Sequence, residues 1–522
     1  MRAHFLLMAA AVFTAAAALS QVSSKVTPTT SSPAQQLTAL LTANGLKADV
    51  SFLASDLLEG RDTPSRGLDI AAEYIAAQYR RAGLEPVGDD GYFQTASFVS
   101  VTPNTDGLEF TLQAGGSTVK ANTASISLQE PVALNLDHAA VVKVAVDDQA
   151  AIDALTPEQV RGKVLVLEPS ALSAPAPSAP QPAAAGRAGR GGRGGASIAT
   201  ALASKLQPAA IVLFSAPGGR GGGGGGGGRG ARLREASTIA AAPVAILSIN
   251  DPAIRAALDA AAAPTISAHI AAPAVVPSKV RNVIGLLRGA DPALKDTYIL
   301  ITAHYDHLGI RDNGTPDHIF NGANDDGSGT ASVIEIANAL AALPTRPRRS
   351  IVFMTQFGEE KGDLGSRYYV QHPIFPLAKT IVDVNLEQVG RTDDLEGPRV
   401  GAFNLTGFDY TDLPAVFRRA GQQTDIQVIK HEKNSDAYFT RSDNAAFAEA
   451  GVPATTLSVA YDYPDYHKAG DEWPKLDYEN MATVDRTVAL AALDIANNPQ
   501  APKWDASNPK TERFVKARAA AK

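Results

Sequence analysis

The sequence predicts an α/β protein in three α/β/α layers, with helices on both faces of a mostly parallel mixed sheet and a small β-rich unit inserted into it. Two observations predict this. From Arg281 onward, short apolar runs at 298–303, 351–356, 380–386 and 455–459 alternate with helical patterns. Such alternation implies strand–helix–strand units on a largely parallel sheet. Between about 128 and 277 the texture changes to β-like runs at 164–167, 210–214 and 244–247, separated by two low-complexity tracts. The chain has 522 residues, enough for two or three domains, and 45% hydrophobic content, enough for a sizeable core.

In chain order, residues 1–20 read as a signal peptide. Arg2 supplies the positive start, 5–19 is an apolar run, and Ala18-Leu19-Ser20 offers small residues for cleavage. The run is short for a membrane span, and an uncleaved anchor is the alternative reading. Residues 21–37, rich in Ser, Thr and Pro, read as a linker. Residues 38–127 read as the first part of the main domain. Within it Leu68, Ala71, Ala72, Ile75, Ala76 and Tyr79 recur at helical spacing before Gly83, and 110–120 alternates as a hairpin. Residues 128–277 are the insert. Its tracts, 173–195 and 218–230, are too poor in apolar side chains to offset the entropy of ordering and read as disordered loops. Residues 278–500 are the second part of the main domain, with Ser328 a candidate cap on the 328–343 helix. Residues 501–522 read as a frayed basic tail.

Charge and composition exclude several classes of function. A formal net charge of −7 argues against a nucleic-acid binder. The Arg-Gly tracts resemble RNA-binding segments but lack aromatics. With no cysteine, thiol catalysis, disulfides and thiolate-bound zinc are excluded, so any metal must be held by His, Asp and Glu.

In sheets of this kind, sites form at the carboxyl ends of strands. The residues there are His304-Tyr-Asp-His307, Asn321-Gly-Ala-Asn-Asp-Asp-Gly-Ser-Gly329, Phe357-Gly-Glu-Glu360, Glu387 and Tyr461-Asp-Tyr-Pro-Asp-Tyr-His467. Each presents a His or a carboxylate. About two His and three acidic residues suffice for two zinc ions sharing one carboxylate, and a further carboxylate is needed to move a proton.

In order and spacing these pieces resemble the co-catalytic zinc aminopeptidases, relatives of secreted bacterial leucyl aminopeptidases, glutamate carboxypeptidase II and the glutaminyl cyclases. The match includes His304-Tyr-Asp, Gly322 to Gly329, Gly358-Glu-Glu360 with Gly365-Ser366, Asn385-Leu-Glu387 and Tyr466-His467. Upstream, Phe52 to Arg61 and Asn282-Val-Ile-Gly285 match too. The resemblance implies two zinc ions per chain, one on His304, Asp325 and Glu387, the other on Asp325, Glu360 and His467. It implies Glu359 as general base, Asp306 as the residue that orients His304, and Tyr466 as a donor to the oxyanion. It also implies a cis bond at Asp325-Asp326. Two departures stand out. Glu387 replaces the family's usual Asp, and Ser442-Asp-Asn444 replaces Ser-Asp-His, so Asn444 is assigned no role. His307 and His318 read as loop or supporting residues. The insert resembles a protease-associated domain.

The resulting expectation is a secreted or periplasmic metallopeptidase acting on peptides. It is free of nucleic acid and, once the signal is removed, of stable membrane association. The activity expected is that of an aminopeptidase. Carboxypeptidase, glutaminyl cyclase and a catalytically inactive binding protein are the alternatives.

Overall fold

The computed structural model describes residues 32–130, 132–168, 193–214, 232–237 and 244–521. The signal-peptide expectation therefore lies outside the described residues, as do residues 21–31 of the linker and nearly all of the two tracts; residues 33–37 of the linker open the helix Pro33–Leu40.

The main sheet contains β1 (Phe93–Thr102), β2 (Arg232–Glu235), β3 (Ala274–Leu287), β4 (Tyr298–His304), β5 (Ser350–Gln356), β6 (Thr380–Leu386), β7 (Ala402–Leu405), β8 (Gln427–Ile429) and β9 (Ala454–Ser458). Their order is β8-β7-β9-β6-β4-β5-β3-β1-β2, and a short strand, Glu85–Pro86, also pairs with β3. The centre, β9-β6-β4-β5, is parallel. Antiparallel strands flank it, β3 on β5 and β7 on β9. The sheet is thus mixed around a parallel core.

Alternation along β4 explains the three layers. Ile299, Ile301 and Ala303 enter the core beneath helices Arg66–Ala82, Gly329–Ala342 and Tyr478–Asn497. Tyr298 and Leu300 enter a second core, with Tyr369, Phe447 and Phe514, beneath helices Leu364–Gln371, Asn444–Glu449 and Glu512–Ala520. A strand covered on both faces has no polar face, which is why β4 reads as one apolar run. The Arg66–Ala82 helix starts where the Ser65 hydroxyl accepts from the Leu68 N–H, and stops at Gly83 in the left-handed region (φ 72°).

An eight-stranded second sheet forms the insert, and it includes Glu109–Ala114, Ser117–Lys120 and Ile126–Glu130. The insert therefore begins between β1 and Glu109, not at 128. The hairpin over 110–120 forms as expected, but its alternation carries no information on which sheet it joins. Val164 and Val166 face one apolar core of the insert, and Leu165 and Leu167 face the other. Of the first tract, residues 193–195 open the helix Arg193–Leu206.

The tail departs from expectation. It is not frayed: residues 512–520 are helical, and Phe514 is 1% exposed. Trp504 stacks on Phe514 at 4.9 Å and donates its indole N–H to the Gly451 carbonyl at 3.0 Å. Trp504→Ala should cost about 3–5 kcal/mol through the lost ring and the cavity it leaves. Denaturant unfolding would measure this, and a loss under about 1 kcal/mol would mean the tail is dispensable.

Candidate metal and catalytic site

The site lies at the carboxyl ends of β4, β5 and β6. His304 ends β4, Glu359-Glu360 follow β5, and Glu387 follows β6. The fourth contribution is the Ala323–Ser328 turn, which feeds the Gly329–Ala342 helix. The Asp325-Asp326 bond within that turn is cis, as expected.

Hydrogen bonds staple this turn in place. Asp326 Oδ1 accepts from the Gly329 N–H (3.0 Å) and the Gln388 N–H (3.2 Å), so it caps the helix and holds the residue after Glu387. Asn324 Oδ1 accepts from the Gly390 and Arg391 N–H groups at 2.8 and 2.9 Å. Asp471 accepts from the Asn324 and Asp325 N–H groups and from the Tyr463 hydroxyl. Burial raises the Asp471 carboxyl to about 6. Gly322 and Gly329 allow close approach. A Cβ on Gly322, at φ 59°, would lie 2.3 Å from the His307 ring, and one on Gly329 would lie 2.3 Å from the Leu386 carbonyl.

The donor atoms converge. One group is His304, Asp325 and Glu387; the other is His307, Asp325 and Glu360. In each, the ligating atoms all lie within 4.8 Å of one another. Asp325 belongs to both. Its Oδ1 is 3.3 Å from His304 Nε2 and its Oδ2 is 3.2 Å from His467 Nε2. His467 Nε2 is also 3.3 Å from Glu360 Oε1. All five residues expected as metal ligands are thus brought together.

His307 joins them. It is fully buried, and its Nδ1 is 3.0 Å from Glu360 Oε1. Its proximity in sequence to His304 was the available signal. The backbone bend beyond β4 that returns it to the site leaves no trace in the pattern. His318 stays on an exposed loop.

The expected supporting residues also cluster here. His304 Nδ1 lies 3.1 Å from the Asp306 main-chain carbonyl and 3.6 Å from its carboxylate. Donation to that carbonyl leaves Nε2 free to face Asp325. The Asp306 carboxylate accepts from the Glu359 N–H (3.1 Å) and the Thr63 hydroxyl (3.0 Å). Asp306 thus contacts both His304 and the turn bearing Glu359. Burial raises the Glu359 carboxyl well above its ordinary range; His304 opposes the rise, while Glu360 and Glu387 add to it. Tyr466 stacks on His467 with ring centres 4.0 Å apart. Asn444 is structural, donating to the Phe439 carbonyl and accepting from Thr456.

The donor set suits divalent metal. Asp306, Asp325, Asp326, Glu359, Glu360 and Glu387 surround three imidazoles, a large excess of potential negative charge in a buried site. His304 Nε2, Asp325 Oδ2 and Glu360 Oε1 are buried, and each lies 3.0–3.3 Å from another donor atom of the site. Nitrogen and carboxylate donors in this arrangement match catalytic zinc.

Layered sheet and paired donor groups together define an α/β domain of the metallohydrolase class. Residues 282–492 match the model of Peptidase family M28. The family is zinc-dependent. Over 230 residues the chain is 28% identical to a probable glutamate carboxypeptidase of Arabidopsis thaliana, covering 41% of this chain and 30% of that one. Against probable leucine aminopeptidase 2 of Aspergillus oryzae, identity is 28% over 240 residues, 42% and 45% of the two chains. The chain thus spans less than half the length of these relatives. Its fold resembles that of the aminopeptidase from Aneurinibacillus sp. strain AM-1, with a TM-score of 0.56 over 90% of this chain and 97% of the other at 19% identity. Among the described residues, no helix is long and apolar enough to cross a membrane.

Proposed function

We propose that the protein is an exported aminopeptidase that binds two zinc ions and removes N-terminal residues from peptides. The observation supporting this most strongly is Asp325, shared between two buried donor groups with Glu359 beside them. His304, Asp325 and Glu387 would hold one ion. Asp325, Glu360 and His467 would hold the other, with His307 against Glu360. When bound, such ions would supply an acidified water and polarise the scissile carbonyl.

The chain's own residues supply the rest. Glu359 takes the proton from the attacking water and delivers it to the leaving amine. A raised carboxyl pKa suits both halves of that transfer. Asp306 holds the Glu359 turn and fixes the His304 tautomer in the same stroke. Tyr466 donates to the oxyanion as the carbonyl becomes tetrahedral. The insert acts as a protease-associated lid or substrate selector.

Product analysis by mass spectrometry tests the reading. Free and N-terminally blocked peptides would be compared, with zinc supplied or chelated. Stepwise loss of N-terminal residues from free peptides alone, abolished by chelator, is expected. Loss of C-terminal residues, or mere cyclisation of an N-terminal Gln, would retain the site and replace the reaction. No product under any metal condition would favour an inactive binding protein.

A further inference from the structure

The 52–61 motif ends in a buried arginine that the peptidase reading leaves without a task. Arg61 is 1% exposed. It closes the short helical turn Asp56–Arg61 with its own backbone in the left-handed region (φ 49°). The guanidinium donates from Nε to the Tyr305 carbonyl (2.8 Å), from Nη1 to the carbonyls of Asn321 (2.7 Å) and Leu53, and from Nη2 to the Gly322 carbonyl (3.0 Å). Its main-chain carbonyl accepts from the His307 N–H at 3.2 Å.

These acceptors are not scattered. Tyr305 lies between His304 and Asp306, and Gly322 begins the turn that delivers Asp325. Leu53 ends the helix Ala43–Leu53. One planar group thus spans three chain segments, two of them carrying proposed ligands. We propose that Arg61 is a positioning residue that fixes the His304–His307 strand end against the Asp325 turn, setting the distance between the donors. For catalysis this rests on the peptidase reading; for geometry it stands alone.

Two features separate this role from ordinary core packing. All four side-chain acceptors are neutral carbonyls, so no carboxylate neutralises the guanidinium by direct contact. Its charge faces the site, where Asp306, Asp326, Asp471 and Asp325 act on it. The fork geometry is also specific to arginine. A lysine has three donors on one point and cannot reach carbonyls fanned across three segments.

The test uses the full chain with Arg61→Lys. Zinc affinity, measured by competition with a chromophoric chelator, is expected to fall about 10–100-fold, the usual effect of losing a residue that orients ligands. In the metal-free protein, amide hydrogen exchange is expected to rise over 304–308 and 320–327 while the insert stays as in wild type. If the lysine variant does not fold, Arg61→Gly supplemented with millimolar guanidinium replaces it. Recovery of zinc affinity with guanidinium but not with methylammonium would support the proposal. Unchanged affinity and exchange would overturn it, as would loosening spread evenly over the main domain or recovery with both cations. A wild-type chain that binds no zinc would defeat the peptidase reading, and the exchange test would still decide the role of Arg61.

Discussion

Glu359→Gln should lower kcat about 1,000-fold, within the range a positioned proton carrier contributes. The amide is nearly isosteric with the acid and cannot accept a proton. Its backbone N–H still donates to Asp306, so the turn after β5 should keep its shape. Zinc content, KM and Tm are therefore expected to stay close to wild type. Steady-state kinetics with metal analysis on the same sample would check this. Retention of more than about a tenth of kcat would remove Glu359 from the proton-transfer role.

Asp325→Asn should act differently, through the metals. Asp325 is the one residue common to both donor groups. The amide keeps one oxygen and loses the charge that both groups share. Zinc affinity should fall at least about 100-fold, the upper end of what a merely supporting residue costs. Activity should vanish with the metal and return only in part at high zinc. Two ions retained at wild-type affinity would show that the shared carboxylate is not a bridge. Comparison with Glu359→Gln separates a chemical defect from a binding one, since only one of the two should empty the site.

Much of this site could be read from the sequence because it lies at strand ends. A buried parallel strand announces itself as an apolar run, so His304, Glu359, Glu360 and Glu387 stood out as the first polar residues beyond it. Residues whose work depends on distant backbone were less visible. Asp471 grips the Asn324 and Asp325 amides from about 150 residues away, and nothing in its own neighbourhood says so. His307 depends on a bend, and Arg61 on four carbonyls from three segments. In the fold, the hairpin over 110–120 was legible as a hairpin but not as part of the insert. The tail's order is invisible in its own residues because Trp504 and Phe514, ten residues apart, form their contact only against Gly451 and the second core.

The insert does not hang from the main domain by a single tether. Strand β2 returns from within it to pair antiparallel with β1, between Arg232–Val101 and Glu235–Phe98. Arg234, opposite Val99, forms an ion pair with Glu130 of the insert's own sheet. The edge of the main sheet is thereby sealed by a strand of the other unit. Removing the insert would strip β1 of that cover and leave unpaired N–H and C=O groups, a template for strand addition between molecules. The main sheet therefore depends on the insert for the cover of this edge. An isolated main domain should be expected to self-associate through β1 even if its own core folds correctly.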